Sequence, residues 1–143
     1  MHIRLMATLA TLTLAACATP PAPAPPAAPQ EWRATLEGRG DFPNARASAH
    51  AVAAAGQTAI GINFAGGESG ATHPWHVHSG TCGSGGGVVG SGQAYPPLRP
   101  GANGNAAATA RIDVALQRGQ NYHVNVHRSS SDMGTIISCG NLR

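Results

Sequence analysis

The sequence predicts an all-β fold, an antiparallel sandwich or barrel of about seven short strands. Two observations point there. Apolar and polar residues alternate with a period of two in several short runs, and the 19 glycines, set against few aromatic residues, favour tight turns between those runs over helices.

Residues 1–17 read as an export signal. Arg4 supplies the positive end, residues 5–14 form a short apolar run, and Leu14-Ala15-Ala16-Cys17 closes it. The apolar run is shorter than the roughly 20 residues that a membrane-spanning helix needs. The closing tetrapeptide resembles the lipobox of bacterial lipoproteins, which implies that Cys17 is acylated and becomes a membrane anchor. Ala18, and not Asp, follows that cysteine, as in enterobacterial lipoproteins of the outer membrane. The expected location is therefore the bacterial cell envelope, more readily its outer than its inner membrane, with the folded part facing the periplasm.

Residues 18–30 are nearly all Ala and Pro, with prolines at 20, 21, 23, 25, 26 and 29. Such a run lacks the donors for a folded core and extends as polyproline II at about 3.1 Å per residue, a disordered but stiff tether of roughly 40 Å. Residues 31–143 remain, 113 residues and one domain's worth of chain. The whole chain carries nine Arg, no Lys and six acids, and the basic residues form no cluster. Nucleic acid is not an expected partner.

Within that domain, residues 32–39 alternate Trp32, Ala34 and Leu36 with Arg33, Thr35 and Glu37, the pattern of a half-buried strand. Gly38 and Gly40-Asp41 then mark a turn. Residues 46–54 are Ala-rich and carry Arg46, Ser48 and His50 on one parity, which reads as a further strand. Residues 57–64 put Ile60, Ile62 and Phe64 on one face. Residues 108–116 place Ala108, Ala110, Ile112, Val114 and Leu116 inward and Thr109, Arg111 and Asp113 outward. Residues 122–127 and 135–138 complete the set.

Two of these segments carry chemistry. In His73-Pro74-Trp75-His76-Val77-His78-Ser79-Gly80-Thr81-Cys82, read as a strand, His76 and His78 project from one face and Trp75 and Val77 from the other. Residues two apart on one face lie about 7 Å apart, a span over which two imidazoles can converge on one ion, and copper and zinc suit imidazole best. Two exposed histidines on a strand are also commonplace, so the pair alone does not define a site. The second segment, Tyr122-His123-Val124-Asn125-Val126-His127, puts Tyr122, Val124 and Val126 toward the core and His123, Asn125 and His127 outward. His127 on an adjoining strand completes three imidazoles around one metal. His123 lies four residues away, roughly 13 Å along a strand, and is expected to be a solvated surface histidine.

With Cys17 assigned to lipid, Cys82 and Cys139 are left as an even pair in an exported chain, where oxidation is permitted. A disulfide between them is the favoured reading, and a pair of thiolate metal ligands is the alternative.

His73-x-x-His76-Val77-His78, followed in order by Cys82, His127, Asp132-Met133-Gly134 and Ser138-Cys139-Gly140, resembles the core signature of the copper/zinc superoxide dismutases, over residues 56–143. The resemblance implies an eight-stranded Greek-key β-barrel with copper on its outer face. It implies that His76, His78 and His127 are copper ligands, that His73 packs beneath the site, and that Cys82 and Cys139 form the intrasubunit disulfide. Departures from the family are as informative. Residues 83–107, where that family carries a bridging histidine and its zinc ligands, hold no His, Asp, Glu or Cys. One copper and no zinc is the expected metal content, and the fourth copper ligand of the family has no counterpart. Ile136 stands where the family has an anion-holding arginine.

Three functions follow from these expectations. One is a copper-only, superoxide dismutase-like envelope lipoprotein that converts superoxide to oxygen and hydrogen peroxide, slowly for want of that arginine. Another is a non-catalytic module that binds copper for buffering or transfer. The third is a barrel kept for protein contacts, its histidines residual.

Overall fold

The computed structural model describes residues 27–143; the signal, Cys17 and most of the Ala/Pro tether lie outside the described residues. Seven strands form one antiparallel sheet in the order β4-β6-β7-β1-β2-β3-β5, curled into a half-barrel. They are β1 (Gln30–Gly38), β2 (Arg46–Ala54), β3 (Gln57–Ala65), β4 (Trp75–Ser79), β5 (Ala106–Ile112), β6 (Tyr122–Ser129) and β7 (Asp132–Leu142). The three-strand meander β1-β2-β3 is flanked by β7, which returns beside β1, and the long β3–β4 and β4–β5 connections cross between the two ends of the sheet. Among the described residues no helix is long and apolar enough to cross a membrane.

The period-two pattern is what the sheet buries. Trp32, Ala34 and Leu36 of β1 face the core with Ile60, Ile62 and Phe64 of β3, and Ala47, Ala49, Ala51 and Ala53 supply a thin inner face on β2. Alanine there lets the sheet curl over the core without overpacking. The β2–β3 connection is a two-residue hairpin loop, with Ala54 paired to Gln57 and both Ala55 and Gly56 at positive φ. That is the backbone of a primed turn, whose twist matches that of the flanking strands.

Four expectations need correction. Gln30 belongs to β1, paired with Ala53, so the tether ends a residue earlier than the Ala/Pro composition implies. The strand expected over residues 108–116 is displaced to Ala106–Ile112, and Val114 is exposed. The cause is Thr58, whose buried hydroxyl donates to the Val114 carbonyl and accepts from the Leu116 amide, turning the chain off the sheet while keeping Leu116 in the core. The strand at residues 135–138 extends to Asp132–Leu142 and carries Cys139 within it. Finally, the sheet has seven strands where the resemblance implies eight. Residues 80–105 add no strand to the sheet: their β-bridges are isolated, His78 to Val88 and His73 to Leu98, and they bury Leu98 in the core and pack Tyr95 against Trp75. Glycines and prolines there prevent a continuous ladder.

Candidate metal centre

β4 is an edge strand of five residues, and its alternation does what the sequence predicts: Trp75 and Val77 are fully buried in the core, while His76 and His78 point to the opposite face. The Trp75 indole donates to the Pro96 carbonyl, and Tyr95 packs edge-on against both Trp75 and His76. The otherwise open edge of β4 is covered by its own following loop, since the amide of Ser79 donates to Gly87 and that of Val89 to Val77. An edge covered in this way is protected from pairing with another chain.

β6 lies beside β4 in antiparallel register, His76 opposite Asn125 and His78 opposite His123. The register between β6 and β7 slips at His127, which stands opposite Ile136 after Val126 has paired with Ser138. Such a bulge re-aims the side chains next to it. His127 also donates its backbone N–H to the Pro74 carbonyl, locking β6 against the residue that precedes β4.

The result is the expected cluster. One ring nitrogen each from His76, His78 and His127 lies within 4.8 Å of the other two, close enough to hold a metal ion. Backbone carbonyls select the tautomers, because a carbonyl oxygen only accepts. His127 donates from Nδ1 to the Met133 carbonyl at 2.7 Å, and His78 donates from Nδ1 to the Gly86 carbonyl at 2.8 Å. Both rings therefore keep the Nε2 lone pair for a ligand, and the buried Nε2 of His78 has no partner among the described residues. His76 presents Nδ1, 3.4 Å from Nε2 of His127. Burial, then the neighbouring His127 and His78, lower the His76 pKa to about 4. Burial also pulls His127 below its ordinary value, against the opposing pull of its bond to Met133. His76 and His127 thus resist protonation and offer neutral nitrogen donors at neutral pH, the form that metals bind.

His73 is buried beside this arrangement. Its Nδ1 donates to the Arg128 carbonyl at 2.9 Å and to that of His127 at 3.2 Å, and its ring meets Phe64 edge-on. It holds the backbone that carries His127. Cys82 and Cys139 are disulfide-bonded, which removes the thiolate-ligand alternative. The bond ties the loop after β4 to β7, and the Cys82 amide donates to the Asn141 side chain.

One expectation about the site is overturned. His123 is not solvated but only 1% exposed. Register places it directly opposite His78, and the loop that follows β4 folds over it, so its ring lies flat on that of His78 instead of reaching water. Three further contributors went unnoticed in the sequence. Tyr95 walls one side of His76, but a lone aromatic in a Gly/Pro-rich loop gives no sign of where it packs. Met133 acts through its carbonyl, which any residue has. Gly86 alone left a signal, the run Gly85-Gly86-Gly87: a Cβ on Gly86 would collide with the Ser79 carbonyl, so only glycine lets this loop lie against β4.

Compared with models of known families, with curated proteins and with solved structures, the chain matches none.

Proposed function

We propose that this chain is a copper-binding, superoxide dismutase-like lipoprotein of the bacterial envelope, holding one copper through His76, His78 and His127. The observation that carries the reading is the cluster itself: three imidazoles with one ring nitrogen each converging within 4.8 Å, two of them fixed in tautomer by main-chain carbonyls. Nitrogen donors of this kind suit copper in either oxidation state. The chemistry that a bound copper supplies is one-electron exchange, by which two superoxide ions and two protons become one oxygen and one hydrogen peroxide. The protein's part is to keep the three donors oriented, with Tyr95 shielding His76 and His73 holding the His127 backbone. Protons come from water, since no acidic side chain belongs to the cluster.

A second reading has a specific observation in its favour. Ile136, directly opposite His127 in the register, puts an apolar side chain where anion capture calls for positive charge. This favours a module that holds copper for buffering or transfer. Metal analysis and a superoxide-consumption assay on the same purified sample separate the two. Bound copper with turnover above that of His127→Ala supports the enzyme; bound copper without it supports the module; no bound copper removes both. Anchoring is tested separately: Cys17→Ser should release the protein from membranes into the soluble periplasmic fraction, and continued sedimentation with membranes would place the anchor elsewhere.

A further inference from the structure

Two buried polar residues beside the cluster have no part in the function proposed above. His123 and Asn125 share the His-bearing face of β6, and both are more than nine-tenths buried. The His123 Nδ1 lies 3.1 Å from the Gly80 carbonyl, so it carries the proton; its Nε2 then accepts from the Asn125 side-chain amide at 3.4 Å. Both ring nitrogens are thereby engaged, and neither is free to bind a metal. Yet the ring lies against His78 with centroids 5.2 Å apart and planes only 21° from parallel. The other rings around His78 meet it at steep angles, His76 at 79° and His127 at 56°.

We propose that His123 is a positioning residue for the metal centre: pinned by Gly80 and Asn125, it fixes the plane of the His78 imidazole and so aims the His78 Nε2 lone pair into the cluster. The hydrogen bond from His78 to Gly86 holds one edge of the ring but still permits rotation about the bond axis; a flat surface against one face removes that freedom. The two fixing carbonyls, Gly80 and Gly86, belong to the same disulfide-tied loop, so stacking partner and hydrogen-bond partner are set in one frame. Stacking on a ligand ring gives the residue a use that a solvent-facing position could not.

This inference rests on the cluster binding copper, and the experiment separates the two. Full-length wild type, His123→Ala and His123→Phe are titrated with copper(II), with affinity read by chelator competition and geometry by electron paramagnetic resonance. His123→Ala should still bind one copper, but about tenfold more weakly and with altered hyperfine splitting. His123→Phe, which keeps a flat ring but no ring nitrogen, should recover most of the affinity and the wild-type spectrum. Wild-type affinity and spectrum in His123→Ala overturn the proposal while leaving the cluster assignment intact. Loss of all binding in both variants makes His123 a ligand, which also overturns it. No binding by wild type overturns the cluster assignment and this proposal with it. Should either variant fail to fold, nitrogen NMR of wild type during copper(I) titration decides: shifts at the nitrogens of His76, His78 and His127 but not at His123 support a positioning role, and a metal-bound His123 nitrogen overturns it.

Discussion

The carbonyl of Gly86 accepts a 2.8 Å hydrogen bond from Nδ1 of His78, eight residues away across the loop that follows β4. A residue without chemistry of its own thus determines which nitrogen a ligand presents. Gly86→Ala should push the loop off β4 through the clash with Ser79, costing about 1–3 kcal/mol of stability. Copper affinity should fall about tenfold as the His78 tautomer is released. Thermal melting and chelator competition measure the two effects; unchanged affinity would mean that the Gly86 bond does not set the tautomer.

Replacing His76, His78 or His127 singly by Ala should weaken copper binding by more than the roughly 100-fold seen when a residue merely supporting a ligand is lost. His50→Ala is the control, because His50 is paired with Glu31 on another part of the sheet. Equal copper affinity in His50→Ala and His127→Ala would displace the site from the cluster.

Mild acid should destabilise the metal-free protein through its buried imidazoles. The folded His76 pKa is held near 4, below its ordinary 6.5, so between those values the unfolded chain takes up a proton that the folded chain refuses. Stability is complete above about 6.5 and falls as pH drops through this window, with His127 and His123, also lowered, adding in the same direction. Melting temperature of the metal-free protein should therefore decline between neutral pH and pH 4.5, and less steeply in His76→Phe. A flat profile would count against buried neutral imidazoles.

Opening the Cys82–Cys139 bond by paired serine substitution should cost about 2–4 kcal/mol, since a long loop regains its freedom in the unfolded chain. Thiol titration of the unfolded, unreduced Cys17→Ser protein should find no free sulfhydryl. Two reactive thiols would contradict the pairing.

Ala55→Asn is expected to stabilise the fold by about 0.5–1 kcal/mol, because Ala55 occupies the left-handed region at φ 49° beside Gly56, and Asn tolerates that region better. Denaturant unfolding measures it directly.

Where alternation met a simple sheet face, the sequence was legible down to single residues: Trp32, Ala34 and Leu36 are inside as read, and the Ala-rich β2 runs over Arg46–Ala54 as expected. The three ligand candidates were legible for the same reason, since period two puts His76 beside His78 and the pairing of β4 with β6 brings in His127. Period two cannot say what covers the outer face. His123 looked solvent-facing because parity puts it opposite the core, but the folded-over loop turns that outer face into a second interior. Val114 failed differently: a single hydroxyl on a distant strand, that of Thr58, ended an alternation that the local pattern would have continued.

The strand order joins β1 to β7, and the joint is slight. Its ladder register comprises Glu37 with Cys139 and Gly38 with Ser138, while Arg33 and Arg143 exchange a pair of hydrogen bonds further along. Contacts here span about the whole domain, as with the Ser138 hydroxyl on the Glu37 carbonyl, 101 residues apart in sequence. Loop closure over that distance is slow, so this seam, with its short ladder, is predicted to form late in folding and to open readily in native fluctuations. Amide hydrogens at Arg33, Arg39 and Arg143 should therefore exchange with solvent ahead of those of the β2–β3 hairpin. On one side of the seam, β4 and β6 carry the histidine cluster, and the disulfide ties the loop after β4 to β7, so these three strands can remain assembled when β1 lifts away. Opening along this line would leave the histidine cluster assembled.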